Sequence, residues 1–191
     1  MLTRLLGVVP VPHVFASDDP FTVRMEYVPG PLAEQWVASG YRSLGLDEAV
    51  RRQVVLMRGC GAMLRALHAV DARSFADVLD DEGPSVIHAD PGPYNLIVDA
   101  GNGEVRALVD WELARIGDPI EDLALLEWNM RIWYRSPGDV IRHLYDAYGS
   151  LPEWARRHAA MIERCRAYYA SSRNAVKREQ LRRTEAFQEL C

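Results

Sequence analysis

The stretch VIHADPGPYNLIVDAGNGEVRALVD, which runs from Val86 to Asp110, decides how this chain folds. It opens with an apolar strand, and a loop then sets Asp90 five residues before Asn95. The loop therefore holds a histidine, a carboxylate and a carboxamide, and oxygen ligands of the last two kinds suit Mg²⁺. Asp and Asn are also typical of a loop whose side chains bond its own backbone. The flanking sequence has to separate these two interpretations.

A β-hairpin is predicted to follow the loop. Asn102-Gly103 is the strongest short-range signal for a hairpin with a two-residue type I′ turn. That turn places Asn95 directly opposite Asp110. Because directly opposed residues have Cβ atoms about 5 Å apart, we expect the side-chain oxygens of these two residues to converge on one ion.

The sequence before the loop predicts a strand and a long helix. FTVRMEYV, residues 21–28, is apolar and β-branched between two turn signals, which is typical of a strand. Asp47 is in position to cap a helix. Its apolar residues at helical spacing are Leu56, Cys60, Met63, Leu67 and Val70. Gly59 and Gly61 each weaken it by about 1 kcal/mol relative to alanine, so we expect close packing there.

Helices are also predicted after the hairpin. DPIE, residues 118–121, offers Asp118 as N-cap and Glu121 as capping-box partner. The predicted buried stripe of this helix is Leu123, Leu126, Met130 and Trp133. SLPE, residues 150–153, repeats the start signal for a helix that reaches about residue 172.

The composition excludes several classes of protein. With 191 residues, 49% apolar and 26% charged, the chain is an ordinary globular protein that needs no disulfide or structural metal. Its three cysteines lie far apart without a CxxC pair, which predicts reduced thiols in the cytoplasm and no zinc site. No apolar run suits a membrane span. Residues 71–130 hold fourteen acids against three arginines, which argues against a nucleic-acid partner.

Three motifs together resemble those of the phosphotransferase family that includes aminoglycoside and macrolide phosphotransferases and choline kinases. They are His-Gly/Ala-Asp-x₄-Asn at residues 88–95, Ile/Val-Asp-Trp-Glu at 109–112 and Gly-Asp-Pro-x₂-Asp at 117–122. The combination is far more specific than any one motif, and the likeness runs from about residue 10 to residue 133. Members of this family are kinase-like enzymes that phosphorylate hydroxyls of small molecules.

The resemblance implies roles for five residues in contact with substrates. Asp90 would be the catalytic base that takes the proton of the substrate hydroxyl. Asn95 and Asp110 would be the Mg²⁺ ligands. The backbone carbonyl of Glu26 and the backbone amide of Val28 would bind the adenine of ATP, or the corresponding base of GTP.

Two further residues would support the loop without touching the phosphates. By the resemblance, His88 would orient the loop and Asp122 would brace it from its helix. On general grounds, a histidine after an apolar strand is more often a satisfied core residue. Asp122 could equally be an exposed acid on a helix face.

The resemblance implies an α+β, protein kinase-like fold, mainly the helical C-terminal lobe with a remnant of the N-terminal sheet and a catalytic β-hairpin. Residues 1–30 would be the N-terminal remnant and hinge, and residues 31–191 the catalytic lobe. The family's phosphate-gripping strand lysine has no counterpart, because the only lysine is Lys177 in the tail. Exposed apolar surface where the first strands should pack would favour a homo-oligomer.

Two functions remain open from the sequence. The first is ATP- and Mg²⁺-dependent phosphorylation of a small-molecule hydroxyl. The second is a truncated or degenerate kinase lobe without activity, acting as a binding module. For the first, an excess of arginine in the last helices (Arg156, Arg157, Arg164 and Arg166) argues against a polycationic aminoglycoside. The aromatic residues that would either line an apolar pocket or form core are Trp128, Trp133, Tyr134 and Trp154.

Overall fold

A computed structural model describes residues 1–19, 21–43, 45–169 and 175–189. Its helices are α1 (Leu2–Leu5), α2 (Ala33–Ser43), α3 (Leu46–His68), α4 (Ile120–Asn129), α5 (Gly138–Tyr148), α6 (Trp154–Tyr169) and α7 (Ala175–Glu185). Its strands are β1 (Val14–Phe15), β2 (Arg24–Met25), β3 (Ser85–Ile87), β4 (Leu96–Val98), β5 (Val105–Leu108) and β6 (Arg115–Gly117). No helix in these described ranges is long and apolar enough to cross a membrane.

The strands form three antiparallel pairs, β1 with β2, β3 with β6 and β4 with β5. In the second pair Ser85 lies opposite Gly117 and Ile87 opposite Arg115. Strand β3 leads into the Asp90 loop and β6 leads into α4. This pair therefore brings the first and third sequence motifs side by side.

The predicted strand over residues 21–28 is shorter than expected, since only Arg24 and Met25 pair with β1. The side chains of Phe21, Val23 and Tyr27 are largely exposed to solvent. A strand needs burial on at least one face to offset the conformational entropy that is lost when it forms. The segment is thus apolar in sequence, but among the described residues no other element packs over these side chains.

The turn of the β4–β5 hairpin is longer than predicted, because four residues, 100–103, instead of two lie inside its last hydrogen-bonded pair, Asp99 and Glu104. The amide of Asp99 donates to the carbonyl of Glu104 over 2.8 Å and closes this loop. The Asp99 carboxylate accepts from the amides of Gly101 and Asn102, at 2.9 and 3.0 Å. An Asx turn of this kind competes with the two-residue turn and here replaces it.

The longer turn and a β-bulge between Ile97 and Val98 together shift the register of the hairpin. Leu96 pairs with Leu108, and the amide of Val109 donates to the carbonyl of Asn95 over 2.9 Å. The prediction that Asn95 faces Asp110 is therefore wrong by one residue. Val109 is the partner of Asn95, and Asp110 is the residue that follows it.

Helix α3 is the centre of the core and packs along α5. All but the last of its predicted apolar residues are buried, whereas Val70 lies beyond its end and is partly buried. Asp47 lies in the first turn and is not the cap, since Gly45 holds that position with φ of 89°. Cys60 and Cys165 are free buried thiols, and burial raises the pKa of Cys60 to about 12. Cys191 lies outside the described residues.

Helix α4 begins close to where DPIE predicts. The Asp118 carboxylate accepts from the amide of Ile120 over 3.0 Å, as a capping side chain does. Glu121 does not complete a capping box, because its carboxylate bonds Arg115. Trp133, predicted to be buried, is 58% exposed. The predicted end of α6 near residue 172 lies outside the described residues.

Gly61 and Gly59 offer a matched pair of substitutions in α3. A Cβ added at Gly61 would lie 2.2 Å from the backbone oxygen of Leu144 in α5, whereas one at Gly59 would lie 3.1 Å from a methyl of Val105. We expect Gly61→Ala to lower the free energy of unfolding by about 1–3 kcal/mol through overpacking. Gly59→Ala should be neutral or stabilising by up to about 1 kcal/mol, since alanine favours the helix and the Val105 side chain can shift. Urea unfolding of both variants tests this, and equal effects would contradict it.

Candidate active site

The loop between β3 and β4 holds Asp90 by both of its carboxylate oxygens. The hydroxyl of Tyr94 donates to Oδ1 over 2.6 Å, and Nδ2 of Asn95 donates to Oδ2 over 3.2 Å. The same Nδ2 also donates to the backbone carbonyl of Asp90 over 3.0 Å. Arg164 of α6 lies 3.8 Å from Oδ1, and the carboxylate is 13% exposed. Asp90 is therefore fixed in place while one edge remains accessible.

Asp122 of α4 anchors this loop from beneath. Its Oδ2 accepts from the amide of His88 over 2.9 Å and its Oδ1 from the amide of Ala89 over 2.7 Å. Its Oδ2 also lies 3.0 Å from Nε2 of His68, whose Nδ1 lies 3.0 Å from the hydroxyl of Tyr148. Because a carboxylate only accepts, Nε2 of His68 carries the proton. Asp122 is fully buried, so the exposed-acid interpretation does not describe it.

Ala89 adopts the left-handed conformation, with φ of 65°. This region is unfavourable for a residue with a Cβ. The bond from its amide to Asp122 helps to hold that conformation. The loop thus turns sharply at Ala89, and Asp90 becomes partly exposed immediately after a buried strand.

His88 joins the loop to the end of the hairpin. It is fully buried, and its Nε2 donates to the carbonyl of Val109 over 3.0 Å. Its Nδ1 accepts from the amide of Asp90 over 3.2 Å. Its ring packs edge to face on the ring of Trp111, with 4.6 Å between the ring centroids. Burial lowers the pKa of His88, although the carboxylates of Asp122 and Asp90 oppose the change. A neutral His88 satisfies both of these bonds.

The lowered pKa of His88 predicts that acid destabilises the fold. In the unfolded chain a histidine gains its proton near pH 6.5, whereas the folded chain resists protonation to a lower pH. The contribution of His88 to stability is therefore complete above about pH 6.5 and is lost as the pH falls below it. Urea unfolding from pH 8 to pH 5 should show a steeper loss for the native chain than for His88→Gln. Parallel curves for the two proteins would contradict this.

Asn95 and Asp110 are the candidate metal ligands, and their surroundings suit a cation. The amide nitrogen of Asn95 is used by Asp90, so its amide oxygen points away from that carboxylate. Asp110 is exposed and has φ of 64° at the end of β5. Over the described ranges no hydrogen bond or ion pair engages its carboxylate.

The same ranges contain no cluster of three or more His, Cys, Asp or Glu that could hold a metal by itself. One carboxylate and one amide oxygen would leave most coordination positions of the ion to water and phosphate oxygens. Proteins usually hold Mg²⁺ in this way. The donor set therefore fits a magnesium ion that arrives with a nucleotide. It does not fit a permanent metal cage.

Glu26 and Val28 lie just after β2, where the amide of Glu26 donates to the carbonyl of His13 over 2.8 Å. Glu26 is exposed and Val28 is partly buried. Within the described part of the chain, no hydrogen bond or ion pair joins either residue to the Asp90 loop. Their role at the adenine stays a prediction.

Tyr94 and Arg164 reach Asp90 but were not expected from the sequence. Tyr94 has a local signal, because it follows two prolines and a glycine and precedes Asn95. A Cβ on Gly92 would lie 2.3 Å from the Tyr94 ring, so this glycine lets the ring fold back toward Asp90. Arg164 has no such signal, since it arrives from α6 through tertiary packing.

Comparison with known proteins shows that part of the chain matches a family model and that the chain shares its fold with solved structures. Residues 75–160 match the model of the phosphotransferase enzyme family. This segment contains all three motifs, so the resemblance inferred from them is confirmed. Among curated protein sequences, none matches this chain.

Solved structures cover nearly the whole chain at low identity. The streptomycin–ATP complex of APH(2″)-IIa is 15% identical with a TM-score of 0.61, over 96% of this chain and 78% of that one. A candidate aminoglycoside phosphotransferase from Ralstonia eutropha is 16% identical with a TM-score of 0.61, over 94% and 76%. A choline/ethanolamine kinase family protein from Mesorhizobium loti is 16% identical with a TM-score of 0.56, over 92% and 73%.

These likenesses confirm the predicted α+β, kinase-like fold with its helical lobe and small remnant of sheet. The motifs, the family model and the fold agree on the same part of the chain. The segment from residue 75 to residue 160 therefore belongs to the phosphotransferase enzyme family, and the chain has the kinase-like fold of aminoglycoside phosphotransferases and choline kinases.

Proposed function

We propose that this chain transfers the γ-phosphoryl group of ATP to a hydroxyl of a small molecule. One observation carries the proposal: the carboxylate of Asp90 is fixed by Tyr94 and Asn95 on a loop that the buried Asp122 anchors. Phosphoryl transfer requires positioning, electrostatic stabilisation and a base for the attacking hydroxyl. In this proposal residues 1–30 serve as the remnant of the N-terminal lobe and the hinge, and residues 31–191 as the catalytic lobe.

Asp90 accepts the proton of the substrate hydroxyl at Oδ1. Asn95 holds Oδ2, so the carboxylate cannot turn away. The substrate oxygen forms its bond to the γ-phosphorus as the bond from that phosphorus to the β,γ-bridging oxygen breaks. The products are a phosphate monoester and ADP, and the proton is now on the Asp90 carboxyl group.

Asn95 and Asp110 are the residues that would hold Mg²⁺, through one amide oxygen and one carboxylate. When bound, the ion neutralises charge on the β- and γ-phosphates. His88 fixes the carbonyl of Val109 next to Asp110. It thereby holds the end of the hairpin against the loop that carries Asp90.

A second function is favoured by the position of the only lysine. Lys177 lies in α7 with its ammonium 5.3 Å from the centre of the Tyr169 ring, and no lysine lies in any of the strands. In this alternative the chain is a degenerate kinase lobe without catalytic activity that acts as a binding module.

Thermal denaturation with ATP, with and without Mg²⁺, tests the nucleotide site. ATP at 100 times its Kd should stabilise the fold by about 2.7 kcal/mol, a shift of roughly 5–11 °C for a chain of this size. We expect the shift to require Mg²⁺, to disappear in Asp110→Asn, and to persist in Asp146→Asn, which removes an exposed acid from α5. A cooperative melt without a shift at millimolar ATP would contradict the phosphotransferase and favour the inactive lobe.

A further inference from the structure

A cavity of about 170 Å³ lies next to Asp90, between the loop, α4 and α6. Among the side chains that line it are Tyr94, Leu125, Trp128, Trp133, Arg164 and Tyr169. The sequence left open whether the aromatic residues of this region form a pocket or core. Trp128 and Trp133 line the cavity, whereas Tyr134 packs against the main core and Trp154 stacks on His158 at 4.7 Å.

Two of the side chains that line the cavity also reach the candidate base. The hydroxyl of Tyr94 is 2.6 Å from Oδ1 of Asp90, and Arg164 is 3.8 Å from the same oxygen. Tyr94 therefore shows that a hydroxyl borne on an aromatic ring can reach Oδ1 from the wall of this cavity. A ligand whose apolar body fills the cavity has a short path for its own hydroxyl to that atom.

The volume of the cavity limits the size of the ligand. An engineered apolar cavity of about 150 Å³ takes up benzene. The cavity beside Asp90 is of similar size, so it holds one aromatic ring or a short branched alkyl group. The many-ringed body of an aminoglycoside or a macrolide does not fit inside it.

The charge beside the cavity is set by Arg164. Its guanidinium lies 3.8 Å from Oδ1 of Asp90, and among the described side chains that line the cavity it is the one that carries a charge. Aromatic walls alone would also suit a cation. Because Arg164 is a permanent positive charge in the lining, it opposes an ammonium group there and favours a carboxylate.

We infer that this cavity binds the acceptor, a small alcohol whose apolar part is about the size of one ring and which carries no positive charge. The inference rests on the proposed phosphotransferase function, since it names the substrate class of the same site. Trp133 and Tyr94 are the walls that receive the ring, and Arg164 selects for a neutral or anionic group.

Three matched probes test the cavity by calorimetry on the full chain without nucleotide. They are 4-(hydroxymethyl)benzoate, benzyl alcohol and 4-(aminomethyl)benzyl alcohol, which carry a carboxylate, a hydrogen atom and an aminomethyl cation opposite the hydroxymethyl group. We expect the carboxylate to bind about tenfold more tightly than the ammonium, a difference of about 1.4 kcal/mol. Binding that is tightest for the ammonium, or undetectable for all three probes at millimolar concentration, would overturn the inference.

Two variants and a control locate the binding. Trp133→Ala should weaken all three probes by about tenfold, the loss of an aromatic contact, and its 58% exposure makes the substitution tolerable for the fold. Arg164→Gln should abolish the preference for the carboxylate. Phe21→Ala removes an aromatic side chain that is 96% exposed and outside the cavity, and it should change nothing. Equal effects of Trp133→Ala and Phe21→Ala would contradict binding in this cavity.

Phosphorylation of the same probes with ATP and Mg²⁺ separates this inference from the proposed function. Transfer to 4-(hydroxymethyl)benzoate supports both. Binding in the expected order without any transfer supports the cavity and overturns the phosphotransferase. Preferred transfer to streptomycin would overturn the substrate class while leaving the phosphotransferase intact.

Discussion

Replacing Asp122 with alanine is expected to lower the free energy of unfolding by about 3–5 kcal/mol, the cost of breaking a buried charge from its partners. The carboxylate accepts from the backbone of His88 and Ala89 and from the ring of His68. Without it, buried amides lose their acceptor, and each such loss costs about 1–3 kcal/mol. Urea unfolding followed by circular dichroism measures the loss. Hydrogen exchange at the amides of His88 and Ala89 reports whether the loop itself opens.

Two further variants make the measurement specific. Asp122→Asn keeps the shape and one acceptor oxygen, so its effect should fall between those of the native residue and alanine. Asp146→Ala removes an exposed acid of the neighbouring α5 and should cost no more than about 0.5 kcal/mol. If Asp122→Ala costs no more than Asp146→Ala, the loop is not held in this way.

Asp90→Asn is expected to reduce phosphoryl transfer by about 10²–10⁴-fold, the usual contribution of a general base. Asparagine keeps an oxygen for the Tyr94 hydroxyl but does not take a proton at neutral pH. The measurement is ADP release with 4-(hydroxymethyl)benzoate as acceptor. Unchanged turnover in Asp90→Asn would exclude Asp90 as the base.

Controls for this variant separate chemistry from folding and binding. Asp90→Asn should melt at nearly the same temperature as the native chain and keep its stabilisation by ATP and Mg²⁺, because Asn95 and Asp110 are unchanged. Tyr94→Phe removes the hydroxyl from Oδ1 while retaining the ring. Its effect on turnover should be less than tenfold, since the base remains.

The periodicity of apolar residues predicted the features of the fold that depend on residues close together in the sequence. The buried stripe of α3 and the close approach at Gly61 follow from helical spacing and from the cost of glycine in a helix. The hairpin register did not follow, because the Asp99 carboxylate accepts from two amides of the turn and the strand pair has a bulge between Ile97 and Val98. Turn propensity alone gives no weight to that competition.

The exposure of Trp133 has a geometric reason. Helix α4 ends at Asn129, and residues 130–134 form a wider, π-helical turn. A turn with more residues rotates the side chains that follow it out of the 3.6-residue stripe. The sequence pattern assumed one continuous helix and so placed Trp133 in the core.

Only part of the candidate site could be predicted from the sequence. Motifs identified Asp90, Asn95 and Asp110 because these residues lie close together along the chain. The partners of the loop come from distant helices, His68 from α3 and Arg164 from α6. Their proximity depends on packing between helices, which a single sequence does not reveal.

Helix α4 carries both the anchor of the loop and one wall of the cavity. Asp122 holds the loop, while Leu125, Trp128 and Asn129 line the cavity three to seven residues further along. At a rise of about 1.5 Å per residue, one rigid axis sets the spacing between them. Under the proposed function, substitutions at the wall positions are therefore expected to change which acceptor enters without moving Asp90. Selectivity and chemistry would then be free to diverge separately over evolutionary time, although both depend on one helix.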